Sequence, residues 1–572
     1  MINSPPSSSG LRRAFRVRHT EEAIKPAFTR EEILASRLRL SKVLPYQRSS
    51  PAFPSNLALA ICSGLLLVFA FPDWGLWSLA WVGAAPLIMA VARDQRFFTS
   101  LALGTVTGTV FYIGTSHWIG YSIHNYGAVS IPLTELIILL FGILLGLFTG
   151  LFAACLAICI KNFGGGAIIA APLLWVGSEW SRLAVTGIGW NSIGYSQAFQ
   201  PLLIQIARAG GVYIVSALVV YASAALVFAL VYLERTRGIV VLTSAGLLAL
   251  TTLIYGRAAI RREPAKGMVR VAAVQPNFPI QAEWDNPAFV DEMTDRQISL
   301  SERAIKSAAE ESKGQRGVDL VIWPESPIDY TYDRDNALKS KLAEFVKRNN
   351  VSLLMSTWWP APNEGLFNSA LLIGASGAPI NRYDKIALMP FGEYVPARNF
   401  IPFADRIPAL VADTAAGSNS TLFEVAGARL GLNICFETTR PNLARRLRLE
   451  GASALVQSSN EAWFGPTAIA RQMLAHSVFR AVENNAELIR VTNSGDSARI
   501  DRYGRVSDVC PSFQAVARVW NVQGAGDPTD SGPTFYTTHG DLFAVSCTAL
   551  GLLFVFASLI KDRVKRNKQL DD

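Results

Sequence analysis

The sequence predicts a protein in two parts: an α-helical membrane domain of about eight transmembrane helices and a second domain of the layered α/β class. Half of the 572 residues are hydrophobic and only 17% are charged, which is too apolar for a soluble protein of ordinary composition. Long apolar runs are confined to residues 56–255 and 542–560, whereas residues 256–541 alternate short apolar strands with helical patterns.

Residues 1–55 are predicted to form a basic, disordered cytoplasmic extension. The segment contains many arginines and opens with serine and proline, and no apolar run in it is long enough for the core of a secretory signal. The first apolar span also begins too late for a cleaved signal peptide.

Eight apolar spans follow from the hydropathy of the chain. They lie near residues 56–71, 74–92, 101–117, 131–156, 168–185, 212–233, 238–255 and 542–560. Lys and Arg concentrate in every second connection and in both termini, including the basic tail 561–572, while the other connections contain almost none except Arg208. This asymmetry predicts cytoplasmic termini and places residues 256–541 on the outer side, the periplasm of a bacterium with two membranes. The net charge of +9 is therefore interpreted as membrane topology, and no nucleic-acid partner is expected.

The outer segment, residues 256–541, shows repeated β–α–β patterning with an antiparallel section at its end. The predicted strands are Val269–Val274, Val318–Trp323, Val351–Ser356, Ser369–Ile373, Leu430–Cys435, Ala454–Gln457 and Glu487–Thr492. The predicted helices are Glu302–Ser312, Ala337–Lys347 and Ala468–Asn484. This order predicts a layered α/β sandwich.

The cysteines divide into two groups. Four lie within predicted spans, where they are expected to pack as small apolar residues: Cys62, Cys155, Cys159 and Cys547. The outer segment contains Cys435 and Cys510, which either form a disulfide in an oxidising compartment or leave a free thiol available for chemistry. Metal-ligand spacings, phosphate loops and dinucleotide fingerprints do not occur in the sequence, so neither a metal nor a cofactor is expected.

Three polar residues of the outer segment follow predicted strands. Glu325 follows 318–322, Lys385 follows 371–374, and Cys435 follows 430–434. Strand ends of a layered α/β fold meet at one edge, where sites form. A carboxylate in an apolar pocket can accept the proton of a thiol, and a lysine can favour the thiolate and stabilise an oxyanion. Each residue alone also fits a surface or packing position, but together they favour a catalytic site.

The order Glu–Lys–Cys is similar to the signature of the nitrilase, or carbon–nitrogen hydrolase, superfamily, and the surrounding motifs resemble the apolipoprotein N-acyltransferase family. The stretches that carry the resemblance are 274–277 (VQPN), 323–326 (WPES), 383–396 (YDKIALMPFGEYVP), 434–437 (ICFE), 460–465 (NEAWFG), 479–484 (FRAVEN), 492–495 (TNSG) and the late Tyr536 to Asp541, together with 178–180 (SEW) and 194–197 (GYSQ) in the membrane part. The resemblance covers roughly residues 55–560.

This resemblance implies a nitrilase-like four-layer sandwich and a ping-pong acyl transfer at the inner membrane of a bacterium. Cys435 would attack an ester of a phospholipid, with the sn-1 ester of phosphatidylethanolamine as the expected donor. The resulting thioester would then acylate the α-amine of the diacylglyceryl-cysteine at the N-terminus of an apolipoprotein. Glu325 would act as the general base, and Lys385 would hold the oxyanion.

The resemblance also implies roles for residues around these three. Glu393 would orient Lys385, and Glu437 matches a family position near the nucleophile. Trp463 and Phe464 lie on a loop that would either shield the thioester from water or simply pack.

Two positions depart from the family pattern. Phe436 stands where a tyrosine is expected, and Glu461 stands where an aspartate is expected. Each keeps the size or the charge of the expected residue, so the departures bear on substrate preference more than on the reaction.

Three alternatives remain open from the sequence. A membrane-anchored amidase or nitrilase would use the same three residues with water as the acceptor. A transporter with an extracytoplasmic domain would need ionisable groups inside the spans, for which Glu135 and Glu179 are the candidates. An inactive acyl-binding scaffold would fit a degraded site, but all three residues are present.

Overall fold

The protein is described from a computed structural model. The described residues are 53–72, 74–231, 235–260, 268–280, 286–313, 317–325, 330–362, 365–395, 414–523 and 532–571. Almost all of the predicted basic extension, residues 1–55, lies outside them.

Helices dominate the chain from residue 53 to residue 260. They are α1 (Phe53–Ala70), α2 (Ala80–Gly83), α3 (Ala85–Arg93), α4 (Phe97–Ser116), α5 (Trp118–Asn125), α6 (Ile131–Phe163), α7 (Ala171–Thr186), α8 (Pro201–Ile204), α9 (Ala207–Val231) and α10 (Arg235–Ala259). In the rest of the chain the helices are α11 (Pro287–Glu311), α12 (Asn336–Asn349), α13 (Pro441–Leu449), α14 (Ile469–Asn484), α15 (Phe535–His539) and α16 (Leu542–Asp571).

Six helices in the described part of the chain are long and apolar enough to cross a membrane, namely α1, α4, α6, α9, α10 and α16. The predicted spans 74–92 and 168–185 form shorter helices instead. The first is divided into a 3₁₀ turn at Trp77–Leu79, α2 and α3, and Pro86 in the first turn of α3 cannot continue a preceding helix. The second contributes only the 16 residues of α7. The predicted tail 561–572 continues α16 as helix up to Asp571.

The strands form two sheets. They are β1 (Met268–Gln275), β2 (Leu320–Ile322), β3 (Ser352–Pro360), β4 (Leu366–Ile373), β5 (Pro379–Asp384), β6 (Thr414–Ala415), β7 (Leu422–Val425), β8 (Ala428–Ile434), β9 (Ala454–Ser459), β10 (Glu487–Thr492), β11 (Ala498–Ile500), β12 (Val506–Ser507) and β13 (Val516–Gln523). The first sheet has the order β13-β1-β2-β3-β4-β5, with β6 beside β4, and the second has the order β12-β11-β10-β9-β8-β7. The antiparallel pairs β10–β11, β11–β12 and β1–β13 form the predicted final section.

The two sheets pack face to face, with helices on both outer faces. Val271 and Leu354 of the first sheet share one apolar core with Leu432 and Val491 of the second. Helices α11 and α12 cover the outer face of the first sheet, and α13 and α14 cover the outer face of the second. This α/β/β/α arrangement is the predicted four-layer sandwich.

The helix layer on the second sheet also packs against the membrane domain. Leu474 and Val478 of α14 belong to the same buried apolar core as Val212 and Val219 of α9. These side chains are in direct apolar contact, so the helix layer of the second sheet is held against the membrane helices.

Candidate active site

Glu325 and Lys385 leave the first sheet at the same edge. Strands β2 and β3 are parallel, and β3–β4 and β4–β5 are antiparallel, so β5 runs in the same direction as β2. Lys385 directly follows β5, and Glu325 follows β2 after two residues. The expectation that Lys385 follows a strand at 371–374 is therefore wrong, because an additional strand, β5, lies between that strand and the lysine.

Cys435 lies at a sharp turn directly after β8. Its φ is +51°, in the left-handed region that residues with a side chain rarely adopt, and it opens a 3₁₀ turn over Cys435–Thr439. Such strain persists only where the surrounding structure enforces it. The turn leaves Cys435 partly exposed although its neighbours Ile434 and Phe436 are buried.

Lys385 is held between two carboxylates. Its Nζ donates to Glu393 Oε1 at 2.9 Å and to Glu325 Oε1 at 3.2 Å. Asn368 Nδ2 donates to the same two oxygens, at 2.9 Å to Glu325 and at 3.1 Å to Glu393. Among the described residues no hydrogen bond reaches Glu325 Oε2, which leaves that oxygen able to accept a proton.

The charges of the site act on one another at close range. Burial opposes the charge of Lys385, but the carboxylates of Glu325 and Glu393 outweigh it and raise the pKa of the lysine well above its usual value. Burial and the Glu325 carboxylate raise the pKa of the Cys435 thiol, and Lys385 opposes this rise. These shifts favour the neutral thiol of Cys435 and the charged form of Lys385.

Glu437 joins the turn that carries Cys435 to the segment that carries Lys385. Its Oε1 accepts hydrogen bonds from the Tyr383 hydroxyl at 2.8 Å and from the N–H groups of Ile386 at 2.7 Å and Ala387 at 2.9 Å. Its Oε2 accepts from the Ile434 N–H at 2.8 Å. The side chain is fully buried, so these donors replace water around the carboxylate.

Trp463 and Phe464 meet the membrane domain. The Phe464 ring packs edge to face against Trp118, with ring centroids 4.9 Å apart, and the Trp463 ring packs likewise against Tyr126 at 5.3 Å. Ser122 Oγ donates to the Trp463 carbonyl at 2.6 Å. Both residues therefore have packing partners on α5 and just after it, and the loop is fixed against that helix.

Asn368 and Gln472 are two site residues that sequence reasoning missed. Gln472 of α14 is buried, and its Oε1 accepts from the indole N–H of Trp190 at 3.0 Å and of Trp118 at 3.2 Å. Its Nε2 donates to the carbonyls of Pro72 and Thr115, both at 3.0 Å. An asparagine in a strand and a glutamine on a helix carry no local signal, because their partners come from distant parts of the chain.

The two departures from the family pattern lie in buried positions. Phe436 packs in an apolar cluster with Trp118, Trp190 and Phe464. Glu461 forms a buried ion pair with Arg490 and accepts a hydrogen bond from Ser459 Oγ at 2.6 Å. Burial raises the pKa of Glu461, and Arg490 opposes the rise.

All six cysteines are free thiols. Cys510 is buried in the core between the two sheets. Of the two possibilities for the outer segment, the structure therefore has the free Cys435 thiol and no disulfide with Cys510.

The two carboxylates considered for a transporter have local partners. Glu179 Oε1 accepts from the Trp175 indole N–H at 2.9 Å and from the Ile193 N–H at 2.6 Å. Glu135 is exposed and lies 3.1 Å from His117 Nε2. These contacts give both residues a structural role and offer no support for transport.

Comparisons with known proteins agree with the two-part fold. The profile of the apolipoprotein N-acyltransferase N-terminal domain matches residues 63–225, and that of the carbon-nitrogen hydrolases matches residues 270–518. The apolipoprotein N-acyltransferase of Geobacter metallireducens is 32% identical over 508 residues, which cover 86% of this chain and 93% of the relative. The enzyme of the same name from Pseudomonas aeruginosa PAO1 is 31% identical over 82% of this chain and 89% of its own length. A solved CN-hydrolase superfamily protein from Xanthomonas campestris is 20% identical, covers 45% of this chain and 91% of its own, and has a TM-score of 0.34.

Proposed function

This chain belongs to the apolipoprotein N-acyltransferase family, and we propose that it transfers an acyl chain from a phospholipid to the N-terminal diacylglyceryl-cysteine of apolipoproteins. It is a multi-pass membrane acyltransferase with a carbon–nitrogen hydrolase domain. The single observation that best supports the proposed chemistry is the Lys385 ammonium group, which is hydrogen-bonded to two buried carboxylates next to the thiol of Cys435.

In the first half-reaction the thiol proton moves to Glu325 as the sulfur attacks the ester carbonyl. Because the pKa of the thiol is raised, little thiolate exists beforehand, and the carboxylate must take the proton during the attack. Lys385 stabilises the oxyanion of the tetrahedral intermediate. The intermediate collapses to a thioester, and the departing alkoxide of the lysophospholipid takes the proton from Glu325.

In the second half-reaction the α-amine of the lipoprotein attacks the thioester carbonyl. Glu325 takes a proton from the amine, and Lys385 again holds the oxyanion. Collapse forms the amide and expels the sulfur of Cys435, which recovers its proton from Glu325. Glu393, which Asn368 holds by a hydrogen bond, keeps the Lys385 ammonium group in position to stabilise the carbonyl oxygen in both halves.

We propose the inner membrane of a bacterium as the location, with the catalytic domain in the periplasm, both termini in the cytoplasm and phosphatidylethanolamine as the donor. The charge asymmetry of the connections supports this orientation. Both substrates carry acyl chains, so a site beside the membrane would meet them by lateral diffusion.

The test compares the full-length protein with its Cys435→Ala variant in vesicles that contain phosphatidylethanolamine and a diacylated lipopeptide. We expect an acyl adduct on Cys435 by intact-protein mass, lysophospholipid release and N-acylated peptide, and for the variant a rate lower by a factor of roughly 10³ or more. The Cys510→Ala variant is the matched control, because it removes the other thiol of the outer segment and should transfer normally.

Persistence of transfer in the Cys435→Ala variant would refute the mechanism. Release of free fatty acid or hydrolysis of a short amide, without any N-acylated peptide, would instead support the amidase alternative. The family relatives named above give that alternative no advantage.

A further inference from the structure

Among the described residues, Arg440 has no counter-ion, unlike the cations Lys385, Arg480 and Arg490. Lys385 is paired with Glu325 and Glu393, while Arg480 and Arg490 each form a buried ion pair. Within the described part of the chain, the Arg440 guanidinium makes neither an ion pair nor a hydrogen bond, and its Nε is buried without a partner.

The position of Arg440 puts this unpaired charge beside the nucleophile. Its backbone N–H donates to the Glu437 carbonyl at 3.0 Å and closes the turn that begins at Cys435. Its guanidinium carbon lies 6.0 Å from the ring centroid of Phe436, the residue after the nucleophile. The charge is therefore fixed on the same short turn as the reacting sulfur.

The other side of the guanidinium faces the membrane domain. Gly187 follows α7 with φ +70°, and a Cβ added there would lie 2.7 Å from Arg440 Nη2. The end of α7 supplies a partial negative charge of about half an elementary charge, which compensates the arginine only in part. A partly buried guanidinium without a hydrogen-bonding anion is costly to hold, so the position favours binding of an anionic group.

We propose that Arg440 binds the phosphodiester group of the acyl donor. This inference rests on the proposed function and deepens it by assigning a group that recognises the donor. The reacting ester and the phosphate of a phospholipid are joined by a single glycerol unit. When the ester carbonyl lies at Cys435, the phosphate must therefore lie nearby, and a guanidinium fork matches its oxygens.

Two neighbouring arginines on α13 differ from Arg440 in their partners. Arg445 donates to the Thr538 carbonyl at 3.0 Å, and Arg446 forms an i,i+4 ion pair with Glu450 at 2.9 Å. Arg446 is exposed and takes no part in the site described above, so Arg446→Gln, on the helix that directly follows Arg440, is a matched control for the loss of one positive charge.

The test measures acylation of Cys435 in the full-length protein from two donors with the same fatty acid. One donor is phosphatidylethanolamine, and the other is the p-nitrophenyl ester, which has no phosphate. We expect Arg440→Gln to raise KM for the phospholipid by about tenfold or more, a change typical of one lost charge-assisted contact, while acylation from the nitrophenyl ester stays within about twofold of wild type. Arg440→Lys should recover part of the loss because it keeps the charge without the fork.

Two competitors distinguish the sources of the phosphate. A diether phospholipid, which cannot be cleaved, should inhibit the wild type more strongly than Arg440→Gln. If inorganic phosphate inhibited the wild type as strongly as the diether phospholipid does, Arg440 would belong to a general anion site, and the assignment to the donor would be overturned.

Equal losses with both donors would mean that Arg440 only supports the turn, and an unchanged KM for the phospholipid would also overturn the proposal. Failure of the wild type to use any phospholipid would refute the proposed function instead, and acylation by the nitrophenyl ester would still report an intact Cys435.

Discussion

Replacing Glu437 by glutamine exchanges one oxygen for an NH₂ group inside the turn that carries Cys435. All the contacts described for this carboxylate come from donors: the Tyr383 hydroxyl and the N–H groups of Ile386, Ala387 and Ile434. An amide can keep its oxygen toward the three donors at Oε1. Its NH₂ group then replaces Oε2, where it can donate to the Tyr383 hydroxyl oxygen 2.9 Å away, but the Ile434 N–H loses its acceptor.

The cost follows from this one lost contact. A buried hydrogen bond to a charged group contributes roughly 1.5–3 kcal/mol, and leaving its donor unpaired costs a similar amount. If the displaced turn adds about 2 kcal/mol of this cost to the activation barrier, acylation of Cys435 slows by about 30-fold, since each 1.36 kcal/mol of barrier is tenfold in rate. We therefore expect Glu437→Gln to fold, to unfold at a lower temperature than the wild type, and to form the thioester roughly 10 to 30 times more slowly.

The measurement is single-turnover acylation of Cys435 from phospholipid, followed by intact-protein mass, together with thermal unfolding. Glu424→Gln is the matched control, since Glu424 lies on β7 of the same sheet but is exposed and pairs weakly with Arg429 at 3.5 Å. A Glu437→Gln variant that acylates and unfolds like the control would refute the idea that this carboxylate positions the turn.

Two further predictions concern the junction of the two domains. Gln472→Met should lower transfer from phospholipid by about tenfold while leaving acylation by a nitrophenyl ester nearly unchanged, because it removes buried hydrogen bonds that hold Trp118 and Trp190 beside the site. Gln205→Met is the control: it removes a hydrogen bond to the Tyr503 carbonyl elsewhere at the junction and should leave transfer unchanged. Equal loss of transfer in both variants would contradict this prediction. Burial raises the pKa of Glu483 to about 7, and Arg480 opposes the rise, so the stability linked to this group is complete below its unfolded pKa and is lost as the pH rises through 7. The unfolding temperature of the wild type should therefore fall more steeply between about pH 5 and pH 7 than that of Glu483→Gln, and parallel slopes would count against this pKa.

The sequence indicated the sandwich well but not every element around the site. Buried strands such as β8 and β9 are continuous apolar runs and are visible in the sequence. Strand β5 was missed because it lies at the edge of its sheet, begins with a proline and exposes polar residues such as Asn381. Lys385 directly follows this strand, which therefore places the lysine at the same end of the sheet as Glu325.

The membrane domain shows the same limit. Hydropathy located all eight apolar segments, but it could not indicate that 74–92 breaks into short helices, since Pro86 and the small residues before it are apolar too. The roles of Trp463 and Phe464 were undecided for a different reason. Their partners Tyr126 and Trp118 lie more than 300 positions earlier in the chain, and a local pattern cannot reveal such contacts.

The shared apolar core of α14 and α9 constrains how the protein is made. During synthesis the helices α1–α10 emerge first, the sandwich follows, and α16 is completed last and packs against α6 and α7. The apolar face of α14 can be covered only after the membrane helices have been inserted, so the last folding step of the sandwich takes place at the membrane. A fragment that begins after α10 would expose that apolar face to water and self-associate, and the domain should therefore be produced and studied only within the whole chain.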